Sequence, residues 1–220
     1  MTLLDLPIWF QVPEAVGELG VSLRGLIHKV LAVEEISPEL AEKMRDVGRR
    51  VDALAEELND HALEDRFPRM AFDEEKGVRP YYVQGGMIGD HHPFVPTAEI
   101  KSEGGRTWGT VYFDVAFEGP PGCVHGGFIS FFFDQIFGHH NLANDIPAMT
   151  GTLTVRYNKP TPLKTELEFE VFTEKVESRK VLDRAYLKVG GEKICEAEGI
   201  FLLPGESGLM AAVREKKIRP

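Results

Sequence analysis

The chain has 220 residues, 43% of them hydrophobic, enough to bury an ordinary core without a disulfide or metal staple. A formal net charge of -10 sets it against nucleic-acid binding, because a phosphate backbone demands a basic face. Two cysteines make no disulfide framework, no apolar run reaches the roughly 20 residues of a membrane span, and Met1-Thr2-Leu3-Leu4-Asp5 lacks the pattern of a signal peptide, so a cytoplasmic protein is expected.

Residues 1 to about 62 read as a helical extension. Ser37 suits a helix N-cap and Pro38 the first helical position, after which Leu40, Met44, Val47, Val51, Leu54 and Leu58 recur at spacings of four and three. The stripe predicts an amphipathic helix lying on its own domain; the alternative is a coiled-coil seam to a second subunit. Residues 63–96 carry Gly85-Gly86, His92-Pro93 and Val95-Pro96 and read as a linker packed on the surface.

From about residue 97 to 204 the period changes to two. Val111, Phe113, Val115 and Phe117 alternate with Thr110, Tyr112, Asp114 and Ala116, predicting a strand over 110–117. Alternation from Met149 to Asn158 predicts a second strand, with Thr150, Thr152 and Thr154 on its polar face. Further strands follow around Leu167, Phe169 and Val171, over 181–189, and through Cys195, Ala197, Gly199, Phe201 and Leu203. Gly190-Gly191 between the last two signals a tight hairpin. The fold class is therefore α+β, an antiparallel sheet with one helix inserted after its early strands. The tail, 205–220, is charged near its end and expected to be poorly ordered.

That helix is the run Gly126 to Gly138, in which Asp134 is the single ionisable residue. Phe128, Ile129, Phe131, Phe132, Phe133, Ile136 and Phe137 point to every side, which predicts a buried helix. A carboxylate set against that desolvation is a candidate base. Before it, Gly119-Pro120-Pro121-Gly122 forces a turn, and His125-Gly126-Gly127 opens the helix with unpaired amides able to hold a developing oxyanion.

The pattern Gly122-x-Val124-His125-Gly126-Gly127, with Asp134 and then Thr150 sixteen residues later at the head of a strand, resembles the hotdog-fold acyl-CoA thioesterases. The likeness is greatest to the phenylacetate-pathway and animal thioesterase-superfamily branch, and it covers about residues 97–203. It implies a sheet wrapped around the central helix and hydrolysis of an acyl-CoA thioester, with coenzyme A as part of the substrate and no separate cofactor. It assigns the oxyanion amide to Gly126, the base or nucleophile to Asp134, loop shaping to His125, and assistance to Thr150. Gly127, Gln135, Asn158, Arg179 and Lys180 complete the expected substrate contacts, the last two as a basic pair for a coenzyme A phosphate. On one helix Gly126 and Asp134 stand roughly 12 Å apart, so a site shared between two antiparallel copies is expected, in a homodimer or a dimer of dimers.

Other readings of these residues exist. A non-catalytic acyl-CoA-binding or regulatory module could use the same scaffold, and a hydratase or dehydratase would need a helix Asp/His pair. A Cys123 thiol nucleophile lacks an orienting third group. The pairs His91-His92 and His139-His140 make poor zinc sites, and His139 and His140 suit the negative end of the helix dipole.

Overall fold

The computed structural model describes residues 14–59, 92–144, 146 and 148–203. Most of the expected linker and the whole charged tail lie outside them, as does His91. Alternating sequence makes six strands: β1 (Thr97–Glu103), β2 (Arg106–Tyr112), β3 (Met149–Tyr157), β4 (Glu166–Glu177), β5 (Lys180–Val189) and β6 (Glu192–Leu202). All pairings are antiparallel and the order across the sheet is β1-β2-β4-β5-β6-β3. Gly190 and Gly191 take positive φ of 55° and 81° in the β5-β6 turn, where only glycine does so without strain.

Among the described residues three helices accompany the sheet: α1 (Glu14–Ala32), α2 (Pro38–Asn59) and α3 (Gly126–Ala143). Inward residues of the strands, among them Val111, Leu167, Val171, Ala185 and Phe201, bury themselves against Ile129, Phe133, Ile136 and Phe137 of α3. Edge-to-face rings fill the interface, with Phe132 set against Phe113 at 5.9 Å and Phe169 at 5.3 Å. The helix is thereby fixed across one face of the sheet.

Two expectations need correction. The strand expected over 110–117 ends at Tyr112, because the Asp114 side chain accepts from the Val115 N–H at 2.7 Å and caps a short 3-10 turn, Val115–Phe117. Phe113 and Phe117 still reach the core from that turn, which explains why their spacing imitated a strand. The second concerns α2. Ser37 caps it as expected, its Oγ accepting from the Leu40 N–H at 3.2 Å. Yet no α2 residue is buried, and Leu40, Val47, Val51, Leu54 and Leu58 stay exposed, so α2 does not lie on the described part of its own domain. By contrast α1 is docked: His28 Nδ1 accepts from the Ala116 N–H at 3.2 Å and its ring packs on Phe117.

Candidate active site

Burial divides α3 into two faces. Ile129, Phe132, Phe133, Ile136, Phe137 and His140 form the core face. Opposite them, Gly127, Ser130, Phe131, Asp134, Gln135 and Gly138 remain exposed or half-buried. The helix is therefore not buried all round, and Asp134 is half-buried within this chain. Phe131 is the one large apolar side chain on that open face, which is otherwise glycine and polar.

His125 is the N-cap of α3, in extended backbone conformation, and its Nδ1 accepts from the Gly127 N–H at 3.0 Å. Its own N–H donates to the Phe117 carbonyl at 2.8 Å, tying the helix entry to the 3-10 turn. The entry is also closed by Gly119: a Cβ there would stand 2.7 Å from the His125 Cα. Among the described residues the Gly126 N–H meets no acceptor, while the carbonyl of the same peptide group, on His125, accepts from Phe128 at 2.9 Å and Ile129 at 3.3 Å. That amide is a polarised, unoccupied donor at the positive end of a helix.

Thr150 Oγ1 donates to Asp134 Oδ1 at 2.9 Å, so the structure brings these two expected site residues together. It does so through a bulge. Thr150 pairs with Phe201 and Thr152 with Ile200, leaving Gly151 as the extra residue. Phe201 is buried in the core, so Thr150 shares its inward phase, whereas Thr152 and Thr154 stand opposite the outward Ile200 and Glu198. Thr150 therefore faces α3 and not the polar face on which simple alternation sets it.

Tyr157, at the far end of β3, was not anticipated as a site residue. Its hydroxyl donates to the Gly126 carbonyl at 2.9 Å and lies 2.6 Å from Ser130 Oγ. The remaining expected residues stand apart. Gln135 is on the open face of α3, Asn158 donates to Glu196 Oε1 at 3.0 Å, and Lys180 is exposed at the start of β5. Arg179 follows Ser178 in the β4-β5 turn and donates to the Leu203 carbonyl from Nε at 3.2 Å and Nη2 at 3.0 Å, so its guanidinium holds the end of the sheet. Cys123 is half-buried in the turn before α3.

The fully buried carboxylate of this helix-sheet pair is another one, Asp183 on β5. It accepts from Asn141 Nδ2 at 2.8 Å and Thr173 Oγ1 at 2.7 Å. Thr173 also lies 3.1 Å from His140 Nε2, and Thr107 Oγ1 lies 3.0 Å from His140 Nδ1. Asn144 Nδ2 donates to that Nδ1 at 3.3 Å, which leaves the proton on Nε2. Burial holds both His139 and His140 at a pKa of about 4, with His140 also lowering His139. Both are neutral at pH 7, so neither supplies the cation that would complement the negative end of the helix dipole, contrary to the expectation from sequence. Burial raises Asp183, against the two hydrogen bonds that lower it. Among the described residues no three His, Cys, Asp or Glu side chains converge as metal ligands.

A cavity of about 800 Å³ lies elsewhere, on the outer face of the sheet, walled by Trp108, Glu99, Lys101 and the Arg106-Glu170-Lys188 charge ladder. It contains none of the α3 residues, and its charged rungs do not suit an acyl chain. The open face of α3 is the better candidate site. No described helix is long and apolar enough to cross a membrane.

No family model matches the sequence. Over 85 residues the chain is 33% identical to acyl-coenzyme A thioesterase THEM4 of Xenopus laevis, a match spanning 39% of this chain and 38% of that protein. Among solved structures, a thioesterase superfamily protein superposes with a TM-score of 0.68 at 22% identity, covering 87% of this chain and 97% of its own. That coverage exceeds the 97–204 domain and takes in part of what precedes it. A hypothetical thioesterase from Streptococcus pneumoniae TIGR4, solved with coenzyme A, matches at a TM-score of 0.47 and 19% identity over 51% of this chain and 89% of that one. The fold is the hotdog fold of thioesterase-superfamily proteins.

Proposed function

We propose that this hotdog-fold chain hydrolyses an acyl-coenzyme A thioester to the free acid and coenzyme A. The observation that carries the reading is Asp134, aimed by Thr150 on the open face of α3, eight residues from the unoccupied Gly126 amide. In this scheme the thioester carbonyl oxygen lies on the Gly126 N–H, which stabilises the tetrahedral oxyanion. Asp134 either takes a proton from the attacking water or attacks the carbonyl itself to form an anhydride. The thiolate of coenzyme A leaves in both routes, and in the second a water then cleaves the anhydride to give the free acid and the Asp134 carboxylate.

Gly126 and Asp134 are about 12 Å apart along one helix axis, too far for one carbonyl to meet both. The scheme therefore uses two copies whose α3 helices pack antiparallel across their open faces, so that Asp134 of one serves the Gly126 amide of the other. Packing of this kind also takes the half-buried Asp134 further from solvent. The half-buried Phe128 and Phe131 would then flank the acyl group, favouring octanoyl-, decanoyl- or phenylacetyl-CoA over acetyl-CoA.

The test measures free thiol and loss of enoyl absorbance over a panel of saturated and enoyl-CoAs. Thiol release is expected; enoyl loss without it indicates a hydratase, and tight binding without turnover a binding module. Mixing Asp134→Asn chains with chains carrying a bulky Gly126 substitution, each shown to fold and exchange, should recover about a quarter of wild-type activity, since half the dimers then hold one intact site. No recovery in proven heterodimers would rule out the shared site.

A further inference from the structure

Two adjacent glycines form the most freely rotating pair a chain can place at a helix entry, yet an oxyanion donor works only when its direction is fixed. The peptide group between Gly126 and Gly127 is gripped at both ends. Its carbonyl accepts from the Tyr157 hydroxyl at 2.9 Å, and its N–H donates to His125 Nδ1 at 3.0 Å. A phenol has one proton, and the Gly126 carbonyl takes it, so Ser130 Oγ is the donor in its 2.6 Å contact with Tyr157. A directed chain runs from Ser130 through Tyr157 to the helix entry. The ring lies against the same turn, since a Cβ at Gly126 would stand 3.4 Å from the Tyr157 Cζ.

We propose that Tyr157 is a positioning residue for the Gly126 amide, an inference that rests on the thioesterase reading. The preceding peptide, which carries the Gly126 N–H, is held at its His125 carbonyl by the Phe128 and Ile129 N–H groups, and the clamp of Tyr157 and His125 on the Gly126-Gly127 peptide fixes its other end at Gly126. Core packing does not explain the residue: Tyr157 is 49% exposed, and its hydroxyl bonds bridge β3 to the first turn of α3. In this role it touches no reacting atom and acts through the backbone alone.

Tyr157→Phe keeps the ring and removes the clamp. With an acyl-CoA substrate, kcat should fall roughly 5- to 10-fold, the scale of one neutral hydrogen bond, while KM stays within about two-fold. In protein labelled with ¹⁵N-glycine, the Gly126 and Gly127 amide resonances should shift and exchange faster with solvent. Ser130→Ala, which leaves the phenol in place, should move the same resonances with a smaller loss in kcat. Loss of kcat with both glycine resonances unmoved would overturn the proposal, because the phenol would then be acting on the substrate. Asp134→Asn run alongside separates the two readings. Absence of thiol release by the wild-type chain overturns the thioesterase reading and the positioning role with it; thiol release that is lost in Asp134→Asn but keeps wild-type kcat in Tyr157→Phe overturns the positioning role alone.

Discussion

The two ends of α3 put their polar groups to opposite use. At the C-terminal end His140, Asn141, Thr107, Thr173 and Asp183 hydrogen-bond one another inside the core, with Asn141 Oδ1, alone of the group, lacking a partner among the described residues, and join the helix to β2, β4 and β5. At the N-terminal end and along the open face, the Gly126 amide meets no acceptor among the described residues, and Asp134 is held by one hydroxyl with its other oxygen open. The contrast is clearest between the two carboxylates. Asp183 is buried and engaged by two donors, which suits it to hold strands; Asp134 is reachable and incompletely paired, which suits it to meet a substrate. Burial alone therefore does not choose the candidate: within one chain the more buried carboxylate is the one hydrogen-bonded into the core, and the proposed base is the half-buried one.

The largest expected effect tests that division directly. Asp183→Ala strands the Asn141 amide and the Thr173 hydroxyl in the core and opens a cavity, and should cost about 3 kcal/mol of unfolding free energy in urea titration. Asp134→Ala should change stability by no more than about 0.5 kcal/mol. Equal destabilisation by both would erase the distinction. Activity should follow the reverse order. Asp134→Asn is expected to lower kcat by about 10² or more, roughly 2.7 kcal/mol in the barrier, with its melting temperature unchanged.

Acid should loosen the C-terminal end first. His139 and His140 are held near pKa 4 by burial, below the ordinary 6.5. The unfolded chain therefore binds more protons between these values, and their contribution to stability is present above pH 6.5 and lost as pH falls toward 4. Each histidine supplies a slope of up to about 1.4 kcal/mol per pH unit across that window. Asp183 acts with the opposite sign, since its raised pKa gives stability that is present at low pH and lost as pH rises through the folded value. Urea unfolding from pH 7.5 down to 4.5 should show the net histidine slope, and His140→Gln should flatten it. A flat wild-type profile would break the assignment of buried neutral histidines.

Much of this was legible in residue order. Alternation located β3, β4, β5 and β6, and Gly190-Gly191 located their hairpin, because each strand buries one face only. Asp134 stands out as the lone ionisable residue of an apolar run and Thr150 by the spacing of a motif, and the structure joins the two by a hydrogen bond. The two faces of α3 were missed because seven Phe and Ile side chains hid the signal; counting polar residues instead puts Ser130, Asp134 and Gln135 with Gly127 and Gly138 on one stripe. Asp183 also left a trace, since Val181, Asp183, Ala185 and Leu187 share the inward phase of β5. Tyr157 left none: its partner carbonyl is 31 residues away, and only the closing of β3 across α3 brings them together.

The smallest effect belongs to Thr150. The residue is exposed, so its bond to Asp134 is worth about 1 kcal/mol in place of the larger value of a buried charge-assisted pair. The bulge at Gly151 turns the side chain toward the carboxylate, and the hydroxyl then selects which carboxylate rotamer is populated. Thr150→Val keeps the shape and the strand propensity and removes the donor, so kcat should drop about 5-fold with stability little changed. Thr150→Ser restores the hydroxyl and should recover most of that loss. If Val matched wild type while Ser was impaired, the methyl group would be the part that matters, and Thr150 would belong with the packing residues of the sheet and not with the open face of α3.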